Sequence, residues 1–181
     1  ENIAKFEHYG QENFFIQGQW GDRDIGGANG TLLYGSGTVA LRAATSGNAH
    51  LVKIDHPRAD TPRLKALLAD PTRTKIFHFA RFDVAVLEHN IGPIAGDIYC
   101  TKIASKLART YTDRHGLRDL CRELLKIEIS KQQQSSNWGA DNLTDEQADY
   151  AAGDVLYLHR IRARLDTMLE REGRQHLAGD C

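Results

Sequence analysis

From His50 to Leu125, short apolar runs alternate with segments whose apolar residues recur every three or four positions, and nothing else in the chain constrains its fold as much. His50–Ile54, Lys75–Phe79 and Ile98–Cys100 read as strands. Between the first two, Thr61 followed by Pro62 opens a helix that carries Leu64, Leu67 and Leu68 on one face and ends before Pro71. A second helix takes in Asp83 to Leu87 and stops near Gly92 and Pro93. A third spans Lys102 to Leu107, and Leu117, Leu120, Cys121, Leu124 and Leu125 mark a fourth after Gly116. Strand and helix in alternation predict an α/β layer fold, a mixed central sheet flanked by helices.

The last helix has its start written into the sequence. Thr144 and Gln147 have the spacing of a capping box, in which each side chain satisfies the other's backbone N–H. Ala148, Ala151, Ala152, Val155, Leu158 and Ile161 continue the apolar stripe, which predicts one unbroken helix from Thr144 to about Glu170. The polar stretch Ser130–Asn137 reads as loop, and the tail 173–181 as loosely ordered. Upstream, residues 1–48 form an atypical glycine-rich β region. More than half of the chain's 16 glycines lie at positions 10–48. Phe14–Ile16, Leu32–Tyr34 and Val39–Leu41 are its candidate strands. The expectation is one domain over 1–181.

Charged residues at 26% and apolar residues at 41% fit a soluble globular protein. A net charge of −1 gives no global basic field, so a nucleic-acid ligand would need a local basic pocket. Cys100, Cys121 and Cys181 show neither a CxxC pair nor zinc spacing and read as free thiols. No apolar run reaches the length of a membrane span, and the N-terminus lacks a basic-then-apolar signal. No membrane partner is expected, and the cytoplasm is the expected compartment.

Two places carry chemistry. Tyr150 and Asp154 lie four apart on the capped helix and therefore share a face. Gly153, beside Asp154, costs about 1 kcal/mol in a helix interior, which makes sense where another backbone or a ligand comes close. Asp83 follows His78-Phe-Ala-Arg-Phe82 at a strand-to-helix junction, where carboxylates can converge on a metal. Each feature alone is also what an ordinary helix shows: a solvated aspartate, or an acidic first turn.

Taken together and in order, these pieces resemble the second and third motifs of the ribonuclease D-like 3′–5′ exonucleases, the type whose last motif carries tyrosine. Thr74–Asp83, Cys100–Ser105, Arg109–Leu117, Ile129–Ser136 and Tyr150–Leu158 are similar to the single-domain nano-RNase C group. The resemblance implies a ribonuclease H-like exonuclease fold, a closed homo-oligomeric ring, and a 3′–5′ exoribonuclease acting on very short RNA oligonucleotides, mainly dinucleotides. It implies two Mg²⁺ or Mn²⁺ ions about 4 Å apart, held by four carboxylates. Asp83 and Asp154 would be two of these, with the Tyr150 hydroxyl orienting the attacking water. His78, Arg81, Arg109, Arg114 and His115 are the residues it places near the substrate.

The family's first motif, Asp-x-Glu at the end of the first strand, has no clear counterpart. Asp22 and Asp24 are the only acidic residues between positions 13 and 54. Asp24 has the right spacing from Asp83, but Gly26 then stands where the glutamate belongs, and no strand-like apolar run precedes Gly21-Asp-Arg-Asp24. Phe14-Phe-Ile-Gln-Gly-Gln19 has the strand but offers the amides Gln17 and Gln19. Two readings stay open: Asp22 or Asp24 completes the metal and catalytic site, or the chain is an impaired nuclease that binds oligonucleotides.

Overall fold

The computed structural model describes residues 14–20, 37–43, 48–54, 61–130 and 142–179. Its elements in chain order are β1 (Phe14–Trp20), β2 (Gly37–Ala43), β3 (His50–Ile54), α1 (Pro62–Ala69), β4 (Lys75–Phe77), α2 (Ala80–Asn90), β5 (Ile98–Cys100) and α3 (Thr101–Ala108). There follow α4 (Leu117–Leu120), a π-helical turn (Cys121–Leu125), α5 (Asp145–Leu156), α6 (Leu158–Arg171) and α7 (Gln175–Gly179). The expected strand at Leu32–Tyr34, most of the 130–137 loop, and both Asp22 and Asp24 lie outside the described residues.

The strands form one sheet in the order β3-β2-β1-β4-β5. β1 and β2 are antiparallel, as are β2 and β3, whereas β1, β4 and β5 run parallel, so the sheet is mixed as expected. Alternate residues of a strand face opposite sides of a sheet, and both sides here are covered. On one side Phe77 packs with Leu64, Leu67 and Leu68 of α1 and Leu87 of α2, joined by Val52 and Ile98. On the other, Ile76 packs with Ala40 and with Ala151, Val155 and Leu158, joined by Leu51 and Tyr99. At the edge beyond β5 a third cluster joins Ala104 and Ala108 of α3 to Ile161, Leu165 and Leu169 of α6.

Two sequence expectations are corrected, and the expected helix after Gly116 is present with a local change. The stretch from Thr144 to Glu170 is two helices that meet at Tyr157, whose φ is −104° and ψ −8°. The reason lies in the apolar stripe. Ala151, Val155 and Leu158 face the sheet, while Ile161, Leu165 and Leu169 face α3, and a break lets each half meet its own partner. The tail is ordered further than expected. Arg174 Nη1 donates to the Leu107 carbonyl at 3.0 Å, and Ala178 of α7 packs against the third cluster. The helix after Gly116 widens into the π turn, closed by a hydrogen bond from Ile127 N to Cys121 O at 3.1 Å.

The base of β4 is locked from below. Buried Lys75 donates its ammonium to the carbonyls of Asp70 and Ala95. Gly96, at φ +80°, lies where a Cβ would come within 2.6 Å of the Pro71 carbonyl oxygen, so only glycine fits that turn.

Candidate functional site

The capping box forms as the sequence predicts: Thr144 Oγ1 accepts from Gln147 N at 3.3 Å, and Gln147 Oε1 accepts from Thr144 N at 2.9 Å. Fixing the start of α5 fixes the phase of its faces. One face packs on the sheet, and the adjacent face lines a cavity of about 410 Å³. Glu146, Asp149, Tyr150, Gly153, Asp154 and Tyr157 lie along that cavity, with Glu146, Tyr150 and Tyr157 at same-face helical spacing from Asp154. Glu146 and Asp149 were missed in the sequence reading. The spacing of Glu146 from Asp154 was a signal for it, but one that any solvated helix face also shows.

Burial, followed by the negative charge of Asp154, pushes the Tyr150 hydroxyl up to about 12. It therefore keeps its proton at neutral pH and acts as a donor beside the carboxylate. Among the described residues, and apart from its own helix, no heavy atom lies within 4 Å of where a Gly153 Cβ would stand. Among those residues the glycine leaves open space at the cavity wall and admits no neighbouring backbone.

Asp83 sits in the first turn of α2 and is 1% exposed. It does not line the cavity, but both carboxylates are carried by elements anchored on β4. Ile76 of β4 packs with Ala151 and Val155, which bracket Asp154, and α2 begins three residues after β4 ends. The junction between β4 and α2 is tight. Phe79 has φ +69°, a left-handed value that few non-glycine residues adopt, and its exposed ring lies 3.9 Å from the Lys102 ammonium.

His78 precedes this turn. The Thr101 hydroxyl donates to the Phe77 carbonyl at 3.0 Å and lies 2.9 Å from His78 Nδ1. With its own proton committed, that hydroxyl accepts, so Nδ1 carries the imidazole proton and Nε2 is left with a lone pair. Burial, then the Lys102 charge, pushes the His78 imidazole down to about 4, so it is neutral at physiological pH.

The basic residues expected near substrate divide. Arg81 and Arg114 are exposed. His115 is half-buried, its Nδ1 2.9 Å from Ser105 Oγ. Arg109 is fully enclosed: its guanidinium pairs with Glu123, donates to Ser105 Oγ at 2.9 Å and to the Arg114 carbonyl at 2.7 Å. These contacts hold the turn that presents Arg114 and His115. Glu123 also accepts from the Tyr111 hydroxyl at 2.6 Å, and both hydrogen bonds, that of Arg109 first, hold its carboxyl below the usual range.

The first strand bears on the missing acidic motif. β1 runs to Trp20, so a strand precedes Gly21-Asp-Arg-Asp24 in sequence even though its second half is not an apolar run. Its pairing with β2 extends it past the apolar half, since ladder hydrogen bonds need no apolar side chains. Phe14 pairs with Lys75 and Phe15 with Ile76 in β4, so Ile16 is level with the end of β4 and Gln17 is the first position beyond. The strand carries the chain about 10 Å past Gln17, to Trp20.

The donor set is partly suited to a divalent cation. Three carboxylates along one cavity would repel phosphate unless a cation intervened, and carboxylate oxygens suit hard ions. Among the described residues, however, no three His, Cys, Asp or Glu side chains gather closely enough to hold an ion. Also among the described residues, no helix is long and apolar enough to cross a membrane.

Comparison with known proteins gives a consistent result. A family model described as 3'-5' exonuclease matches residues 35–170. Ribonuclease D of Gluconacetobacter diazotrophicus is 34% identical over 131 residues, which cover 71% of this chain and 33% of that protein. This chain therefore spans about a third of the length of such curated relatives. Brucella melitensis NrnC bound to pGG superposes with a TM-score of 0.84 at 42% identity, over 97% of this chain and 82% of that one. The same protein with bound Mg²⁺ gives 0.83 at 41% identity, with the same coverage. The ribonuclease H-like exonuclease fold is thereby shown.

Proposed function

The chain belongs to the 3′–5′ exonuclease family, and on that premise we propose that it is a metal-dependent 3′–5′ exoribonuclease acting on very short RNA, dinucleotides above all. The observation that carries the proposal is the cavity along α5, where a protonated tyrosine hydroxyl and a carboxylate share one face beside a glycine that keeps the wall open. It is supported by the likeness to a nuclease solved with pGG.

Asp83 and Asp154 would offer oxygen ligands to Mg²⁺ or Mn²⁺, which when bound offsets phosphate charge and activates a water. The protonated Tyr150 hydroxyl would donate to a water at that site and orient it. Arg81 and Arg114 face solvent with donors suited to phosphate, half-buried His115 stands next to Arg114, and neutral His78 offers an acceptor suited to a ribose hydroxyl. Arg109 acts through the turn it holds. The working form is a homo-oligomeric ring in the cytoplasm, and light scattering on the purified chain reads its mass.

A second reading is favoured by the register of β1. Gln17, not an aspartate, stands first beyond the end of β4, and amide oxygens bind Mg²⁺ poorly in place of carboxylates. On this reading the chain binds short RNA 3′ ends and hydrolyses them slowly if at all. Incubation with Mn²⁺ and a labelled diribonucleotide separates the two. Cleavage abolished by both Asp154→Ala and Asp24→Ala supports the enzyme with Asp24 in the site. Binding without cleavage, unchanged by Asp24→Ala, supports the second reading. Robust cleavage by an Asp22→Ala/Asp24→Ala double variant would overturn both, because an unrecognised carboxylate would then complete the site.

A further inference from the structure

We infer that a basic groove next to the cavity, where the π turn meets α6, binds backbone phosphates of an RNA strand extending beyond the dinucleotide at the site. The inference rests on the reading that the cavity takes RNA 3′ ends. The groove, about 490 Å³, is lined by Lys126, His159, Arg160, Arg164 and Thr167 against an apolar wall, and among the described residues no carboxylate lines it.

The donors are available. Arg160, Arg164 and Lys126 are exposed, and among the described residues neither arginine is paired with a carboxylate. Arg162, between them in sequence, shows the alternative: it pairs with Asp166 at 3.3 Å and lies 4.6 Å from the Tyr99 ring centre. Lys126 closes the π turn at φ +60°, so its backbone is pinned and not part of a mobile loop. Arg42 Nη1 lies 2.9 Å from His159 Nδ1. A guanidinium can only donate, so Nδ1 accepts there, and the groove's cationic donors are Arg160, Arg164 and Lys126. Three cationic donors in a lining that shows no carboxylate among the described residues favour anions, and two arginines suit phosphate oxygens in particular.

The position makes the anion a strand and not a lone ion. Tyr157 lines the cavity with Asp154, while His159 and Arg160 line the groove two and three residues later, across the break between α5 and α6. The Cys121 thiol feels the charges of both Asp154 and Arg160, so both lie near one buried atom. Along the helices Asp154 and Arg160 are about 9 Å apart, a short step for a nucleic-acid backbone.

The test measures binding of labelled RNA by fluorescence anisotropy, with Ca²⁺ replacing Mg²⁺ to suppress turnover, for a dinucleotide, a pentamer and a decamer. In Arg160→Gln/Arg164→Gln the decamer should bind at least ~10-fold more weakly, with a salt slope lower by about 1.4 for two lost phosphate contacts. The dinucleotide should bind as before, and Arg160→Lys/Arg164→Lys should retain most of the slope. An unchanged decamer affinity and slope would overturn the inference. So would equal weakening at every length, which would place the arginines at the reaction site. Inorganic phosphate bound in the groove while decamer affinity ignores both arginines would likewise overturn it, leaving a site for free anions. Failure of the wild-type chain to take any diribonucleotide would instead sink the parent reading.

Discussion

Replacing Gly153 with alanine separates folding from function in one step. Among the described residues, and apart from its own helix, a Cβ at this position meets no atom within 4 Å, so it clashes with none of them. Gly153 lies inside α5, and alanine there is favoured over glycine by about 1 kcal/mol. For a chain of this size, 1 kcal/mol raises the unfolding midpoint by about 2–4 °C. Gly153→Ala should therefore be more stable than the wild type, as read by circular dichroism on heating. The new methyl projects into the cavity that holds Tyr150 and Asp154. If a ligand fills that space, affinity for a diribonucleotide should fall by about tenfold, the equivalent of ~1.4 kcal/mol. A gain in stability with a loss in binding means the glycine is kept for a ligand. A gain in stability with binding unchanged would refute that reasoning and return Gly153 to chance. A loss of stability would refute the geometry itself.

Further outcomes follow from the same structure. His78 is held neutral down to about pH 4, against 6.5 when unfolded, so the unfolded chain takes up a proton that the folded chain refuses. Stability should be full above pH 6.5 and fall by roughly 3 kcal/mol between 6.5 and 4, and His78→Asn should flatten that part of the profile in urea unfolding. Glu123→Ala should cost about 2 kcal/mol, because it leaves the enclosed Arg109 guanidinium short of an acceptor; equal stability would show that water replaces the carboxylate. Leu158→Ala, at a fully buried side chain just past the helix break, should lower stability by about 3 kcal/mol, while a loss under 1 kcal/mol would mean the break is not held by that contact.

The strands from His50 onward, the Pro62 helix and the capping box were legible because each rests on local signals: alternation, a proline at the first turn, a threonine–glutamine pair. What escaped depends on contacts distant in sequence. The break at Tyr157 cannot be read from a stripe that continues through it; it follows from the halves having different partners, the sheet and α3. Arg109 looked like a phosphate ligand because composition shows a charge but not the Glu123 carboxylate fourteen residues away that engages it. Gly153 was legible as an anomaly with two candidate causes, a close backbone or a ligand, and the choice between them needs the face of α5 placed against the cavity.

That same break gives α5 and α6 different electrostatic tasks. On the α5 side the cavity is lined by Glu146, Asp149 and Asp154, and on the α6 side the groove is lined by Arg160 and Arg164. A phosphate is repelled by the first set unless a cation sits among the carboxylates, and attracted by the second without one. Removing divalent ions should therefore weaken a dinucleotide, which reaches only the cavity, far more than a decamer, which also reaches the groove. The two affinities measured with EDTA and then with Ca²⁺ give this difference directly. A dinucleotide indifferent to divalent ions would mean that its phosphate does not meet the carboxylates at all, and the chemistry assigned to Asp154 would fail with it.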